Sequence, residues 1–329
     1  MTALLQVDEL KTYFFTRDGL FKSVDGISLT VKKGKTLALV GESGSGKSVS
    51  MLSLLGLIPQ PPGRIVGGKA FFHDRDLLHL PDRELQALRG EKIAMIFQDP
   101  MTSLNPYLRV SIQLTEGLRA HHNEISKKEA RRRAIEALEH VGIPDAKQRI
   151  DRYPHEFSGG MRQRVMIAMA LISRPELLIA DEPTTALDVT IQAQILNLLK
   201  NLQKEMNLSI ILITHDLGVV AGMADEICVM YAGKIVERGT ADDIFYTPSH
   251  PYTIGLLGSM PRLDSGKGDL KAIPGLPPDP SRLPKGCPFA DRCPKVMRQC
   301  RDDHPLPLRK YSSTQEALCY WEKKEGEKT

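Results

Sequence analysis

The sequence predicts an α/β fold built around a phosphate-binding loop, and three observations carry that expectation. The octet Gly41-Glu42-Ser43-Gly44-Ser45-Gly46-Lys47-Ser48 follows the apolar run Thr36 to Val40 and precedes the helix-like stretch Val49 to Leu57. Strand, glycine loop and helix therefore come in succession. Two further apolar runs, Leu177 to Ala180 and Ile210 to Thr214, end abruptly on polar residues, as strands of an alternating βα body do where their ends gather at one ligand edge. Between the loop and these runs, Val110 to Gly142 has helical periodicity, so a helical insertion interrupts the strand pattern.

Composition bounds the rest. A chain of 329 residues with 41% hydrophobic content can bury a full core, and its length points to about two domains. Lys and Arg number 44 against 40 Asp and Glu, a net charge of +4 spread along the chain without a long basic block; no nucleic-acid footprint is indicated. The longest apolar stretches, such as Leu208 to Thr214, fall far short of a membrane span, and Met1 to Leu10 lacks the apolar core of a signal peptide. A globular chain in the cytosol is expected.

Taken in order, Leu4 to Phe15 and Val24 to Val31 alternate or run apolar with β-branched and aromatic residues, predicting an N-terminal β region. Tyr13, with Phe14 and Phe15 behind it, stacks on a purine ring or packs into the core. After the turn Lys33-Gly34-Lys35 and the strand comes the loop. Its backbone N–H groups and the following helix start cradle phosphates, Lys47 reaches the outer phosphates and the Ser48 hydroxyl binds Mg²⁺. A nucleoside triphosphate is the implied ligand.

Pro59 to Gly63 breaks the chain, Arg64 to His73 reads as another strand, and Asp82 to Arg89 as a polar helix. Lys92 to Phe97 is a strand ending at Gln98, whose amide is placed to reach a metal or a water. Ser126, with Glu129 three residues on, caps a helix running to His140. Ser158-Gly159-Gly160 puts free N–H groups and a hydroxyl at the positive end of the next helix, a second anion site. At the end of Leu177 to Ala180 stand Asp181, able to hold Mg²⁺, and Glu182, able to polarise a water. Asp188 follows six residues after Glu182, and Ile210 to Thr214 delivers His215 in the same way. Cys228, inside the strand-like Glu226 to Met230, reads as a buried, inert thiol.

The order Lys47, Gln98, Ser158-Gly159-Gly160, Asp181-Glu182, Asp188, His215 resembles the ATP-binding subunit of an ABC transporter over about residues 1 to 245. The resemblance implies a P-loop ATPase domain over 1–248, with a mixed-sheet core, an antiparallel β subdomain and a helical subdomain at about 99–175. It makes Tyr13 the adenine-stacking aromatic, with Phe15 the runner-up. Gly41 to Val49 and Asp188 join the nucleotide-binding set, and Ser48, Gln98 and Asp181 hold Mg²⁺. Glu182 becomes the general base and His215 the γ-phosphate sensor. Ser158 to Gly160 grip the γ-phosphate of ATP held by a second ATPase chain, arranged head to tail. Phe157 and Met161 stand where the family usually has Leu and Gln.

Within that family, Phe97-Gln98-Asp99-Pro100-Met101-Thr102-Ser103-Leu104-Asn105-Pro106 and His250-Pro251-Tyr252-Thr253 resemble the importers of dipeptides and oligopeptides, marks shared by nickel and glutathione importers. The implied partners are the second ATPase subunit, two transmembrane permease subunits and an extracytoplasmic substrate-binding protein. The implied place is peripheral, at the cytoplasmic face of the membrane. Soluble ABC ATPases acting on nucleic acid or ribosomes share the motifs but usually carry two cassettes or a long coiled coil, and this chain has one phosphate loop.

Residues 249–329 are expected to form an extension. Pro274, Pro277, Pro278, Pro280 and Pro284 make a stiff linker, and Cys287, Cys293, Cys300 and Cys319 follow with five, six and eighteen intervening residues. Disulfides are unusual in the cytosol, and zinc usually takes C-x₂₋₄-C pairs. A [4Fe–4S] cluster also takes four thiolates; resemblance to peptide-importer ATPases favours it, with zinc the alternative. The group is expected to hold together a small module separate from the phosphate loop.

Overall fold

The computed structural model describes residues 2–99, 103–185, 187–260 and 272–322. Pro100, Met101 and Thr102 of the Phe97-to-Pro106 segment lie outside them. The chain falls into two compact units, one comprising Met1–Lys32, Thr36–His79 and Thr214–Thr329, the other Lys33–Lys35 and Leu80–Ile213.

In the first unit, β1 (Ala3–Thr16) and β2 (Gly19–Lys32) are long antiparallel partners. Leu5 and Val7 alternate into the core, and past a register shift between Val7 and Leu10 the burial resumes at Leu10 and Thr12. β3 (Thr36–Val40) is buried at all five positions, as its unbroken apolar run requires. The helix Lys47–Leu54 starts inside the glycine motif, two residues ahead of the sequence expectation, because Gly46 at φ +102° serves as its N-cap. β4 (Gly63–Phe72) and β5 (Arg75–Asp76) complete a four-stranded antiparallel sheet of order β2-β1-β4-β5.

The second unit carries β6 (Ile93–Ile96), β7 (Leu177–Asp181) and β8 (Ser209–Thr214), parallel in the order β8-β7-β6. The helical insertion forms the helices Val110–His121, Lys127–His140, Ala146–Arg149 and Gly159–Leu171. Leu114, Leu118, Ala130, Ala134 and Leu138 are fully buried at helical spacing. Ser126 caps as expected, its hydroxyl accepting the Glu129 N–H at 3.2 Å.

Back in the first unit, β9 (Glu226–Tyr231) runs parallel to β3, and β10 (Lys234–Thr240) returns antiparallel to β9. The C-terminal segment adds β11 (Leu308–Lys310) and β12 (Glu316–Leu318), with β12 pairing β10. A buried carboxylate, Glu237, reinforces that join. It accepts from the N–H groups of Ser249 at 2.7 Å and His250 at 2.8 Å and from Gln315 Nε2 at 2.9 Å. Cys228 is buried, and burial pushes its thiol up to about 12, the inert state expected of it.

The four-cysteine segment does not stand apart from the phosphate loop. Phe289, 1% exposed, meets Tyr231 and Tyr252 edge to face, each at 5.3 Å between centroids. Cys287, Phe289, Ala290 and Cys300 belong to the same hydrophobic cluster as Ala38 and Val40 of β3. So short a stretch buries its apolar side chains against the body that carries the loop because it has too few to bury against one another. Among the described residues no helix is long and apolar enough to cross a membrane.

Candidate active site

In the first unit, glycine is required where the phosphate loop threads between neighbours. A Cβ on Gly46 would lie 2.1 Å from the Ser23 carbonyl oxygen, and one on Gly41 2.1 Å from that of Met230. Lys47 is buried and donates to the carbonyls of Gly41 at 2.8 Å and Glu42 at 2.9 Å. Its ammonium is thus held by the backbone carbonyls of the loop itself. Ser45 is buried and Ser48 half-buried, while Ser43 and Gly44 are exposed.

Tyr13 is half-buried, and its hydroxyl donates to Asp25 Oδ1 at 2.6 Å. Burial and the Asp25 carboxylate push that hydroxyl's pKa up. Burial also opposes the charge on Asp25, but the Tyr13 hydroxyl and the Lys234 ammonium outweigh it and hold the carboxyl below its ordinary value. Lys22 Nζ lies 5.7 Å from the centre of the Tyr13 ring. Phe15, by contrast, is 53% exposed and has no polar handle to fix its ring. His215 is exposed, directly after β8.

In the second unit, Asp181 is the last residue of β7 and is buried. Glu182 follows at φ +46°, a left-handed conformation that costs a side-chain-bearing residue about 1–3 kcal/mol and clusters at functional sites. The Glu182 N–H donates to the Ile213 carbonyl at 2.9 Å. Its carboxylate accepts from Gln98 Nε2 at 2.9 Å and from the Thr185 hydroxyl at 2.8 Å. Two residues 84 apart in sequence are thus brought together because β6 and β7 are adjacent and parallel. Thr185 was not singled out from sequence, although it stands three residues after Glu182. A carboxylate oriented by two donors keeps acceptor capacity for the proton of a water.

Ser158 and Gly159 are exposed at the start of the helix Gly159–Leu171, and Ser158 caps it by accepting the Met161 N–H at 3.4 Å. Phe157 is buried, so the departure from Leu there faces inward. Gly160 lets this helix approach Ile191, whose Cγ2 would be 2.9 Å from a Cβ at that position. Asp188 caps the helix Val189–Met206 by accepting the Ile191 N–H at 3.0 Å.

Elsewhere in the first unit, Cys287, Cys293, Cys300 and Cys319 all line one small cavity with His250, Phe289 and Trp321. All are free thiols, and burial raises the pKa of Cys287 to about 11 and of Cys319 to about 12. His250 Nδ1 accepts the Tyr252 N–H at 3.0 Å. Its Nε2 therefore carries the proton of the neutral ring, and this buried donor has no hydrogen-bond partner among the described residues. Among the described residues no group of three or more His, Cys, Asp or Glu side chains is gathered closely enough to hold one metal ion.

The family model for ABC transporters matches residues 24–185, and the model for the C-terminal region of oligopeptide/dipeptide transporters matches residues 236–300. The chain is 57% identical to the oligopeptide transport ATP-binding protein OppD of Salmonella typhimurium, over 92% of this chain and 90% of that protein. It belongs to the peptide-transporter family of ABC ATP-binding proteins. This ABC ATP-binding subunit is also 54% identical to the dipeptide transport ATP-binding protein DppD of Bacillus subtilis, over 93% of this chain and 91% of that protein. Among solved structures, the bacterial ABC transporter cassette MJ0796, a dimer, matches with a TM-score of 0.64 at 27% identity, over 72% of this chain and 98% of that one. The fold is that of the ABC cassette, a mixed sheet with a helical subdomain.

Proposed function

We propose that this chain hydrolyses ATP to drive import of dipeptides and oligopeptides through partner membrane subunits. The observation that carries this reading is the double family match, the cassette over 24–185 and the peptide-transporter region over 236–300, within one closely similar chain. In this reading Gly41 to Val49 take the phosphates, with Lys47 on the outer ones, and Tyr13 stacks on adenine, its ring fixed by the Asp25 bond. Phe15 is the runner-up. Ser48, Gln98 and Asp181 supply the oxygens a hard cation such as Mg²⁺ prefers. Glu182 takes the proton of the attacking water while Gln98 and Thr185 hold its carboxylate in place. His215 senses the γ-phosphate, and Ser158-Gly159-Gly160, of which Ser158 and Gly159 are exposed, serves ATP on a second, homologous or identical subunit. Asp188 supports that surface by capping the helix against which Gly160 packs. Two permease subunits and an extracytoplasmic binding protein complete the importer, with this chain peripheral at the cytoplasmic face.

The reading is tested by Glu182→Gln. An amide fits where the carboxylate stood but accepts no proton, so ATP binding persists, a dimer accumulates with ATP, and hydrolysis falls by about 10²–10⁴-fold. Near-parental turnover in the assembled transporter would remove Glu182 from the base role.

For the four thiols we propose a [4Fe–4S] cluster, with zinc the alternative. One cavity collects all four, and the His250 Nε2–H is a buried donor lacking a partner among the described residues, apt for a cluster sulfur. Among the described residues no group of three or more His, Cys, Asp or Glu side chains is gathered closely enough for one metal ion. A cluster takes its four thiolates on four different irons. It would supply a covalent crosslink for the segment. Chain purified without oxygen should be brown, with about four iron and four sulfide per chain; one zinc, or no metal, would reject the cluster.

A further inference from the structure

Arg292 sits in the four-cysteine segment, one residue before Cys293, yet its side chain is turned toward the phosphate loop. The guanidinium is buried and makes a two-pronged contact with Glu42, Nη1 to Oε2 at 2.8 Å and Nη2 to Oε1 at 3.1 Å. Nη1 also donates to the Tyr231 hydroxyl at 3.3 Å, and Nε donates to the Pro274 carbonyl at 3.0 Å. Glu42 is the second residue of the loop. Its N–H donates to the Tyr252 hydroxyl at 3.0 Å, and its carbonyl accepts from Lys47 at 2.9 Å. A second contact points the same way: Pro277, Pro278, Pro280 and Leu283 line a groove together with Glu42, Ser43, Gly44 and Ser45.

A carboxylate in a loop that receives a triphosphate is a liability, because like charges repel most where water is scarce. Arg292 neutralises it, and the planar fork fixes where the carboxylate points. We propose that Arg292 is a positioning residue for the nucleotide: by pairing with Glu42 it keeps the phosphate loop receptive to ATP, so ATP affinity depends on the four-cysteine segment. This goes beyond the loop chemistry, in which the Glu42 position admits any residue and the C-terminal segment has no part.

The test is ATP affinity of the full-length chain, read by displacement of a fluorescent trinitrophenyl-ATP with Mg²⁺ present, alongside thermal melting without nucleotide. Arg292→Ala strands a partly buried carboxylate and should weaken ATP by about tenfold or more. Arg292→Lys keeps the charge but loses the fork, and should fall between Arg292→Ala and the parent. In the double variant Arg292→Ala/Glu42→Gln the stranded charge is gone, and ATP affinity should recover most of the loss, a rescue that a purely structural role would not produce. ATP binding by Arg292→Ala within twofold of the parent, or no recovery in the double variant, would overturn the proposal. Should Arg292→Ala fail to fold, parental ATP affinity in Arg292→Lys would overturn it equally.

Discussion

Lys47 shows how the loop holds a charge in place. It is buried against the carbonyls of Gly41 and Glu42, and the proposed role on the outer phosphates rests on that placement. Lys47→Ala removes that charge and takes one donor from each of two carbonyls; nucleotide affinity should fall by about tenfold or more. Titration with fluorescent ATP checks this, and equal affinity in variant and parent would contradict it. The positions of Gln98, Glu182 and His215 as candidate site residues were legible in sequence because each stands at or just past the end of an apolar run, and that of Lys47 because it closes the glycine loop. The Thr185 and Arg292 contacts were not, since hydroxyl and guanidinium side chains occur throughout the chain and only the fold shows which of them meets a carboxylate.

At the scale of elements, β9 and the helix Pro251–Gly258 tie the cysteine segment to the loop. Tyr231 ends β9, Tyr252 lies in the helix, and both rings pack on Phe289. Phe289→Ala would leave a cavity beside the rings of Tyr231, Tyr252 and His250 and should cost about 3–5 kcal/mol, measured as a lower urea midpoint at unchanged slope. A loss below about 1 kcal/mol would show that the segment is not anchored there. β1, β3, β4, β6, β7, β8 and β9 were legible from their apolar runs, whereas β2 begins at Gly19, ahead of its run at Val24, and the short β5 and the more polar β10 carried no expectation. The aromatic anchor was not, because Phe289 lies in a proline- and cysteine-rich stretch with no periodicity and finds its partners far away in sequence. The motif His250-Pro251-Tyr252-Thr253 now has a physical content as well, one residue facing the thiol cavity and another bonding the loop.

For the whole molecule, the account joins an ATPase cassette to the uptake of peptides by partner subunits. The proposal leaves the solute contacts to those partners, and the peptide reading rests on the close relatives of this chain. The most direct measurement is uptake into vesicles holding this chain with its permease, binding-protein and ATPase partners, with labelled di- and oligopeptides compared against nickel and glutathione. The account predicts ATP-dependent accumulation of peptide that Glu182→Gln abolishes. Accumulation of nickel or glutathione without peptide, or peptide uptake undiminished by Glu182→Gln, would contradict it.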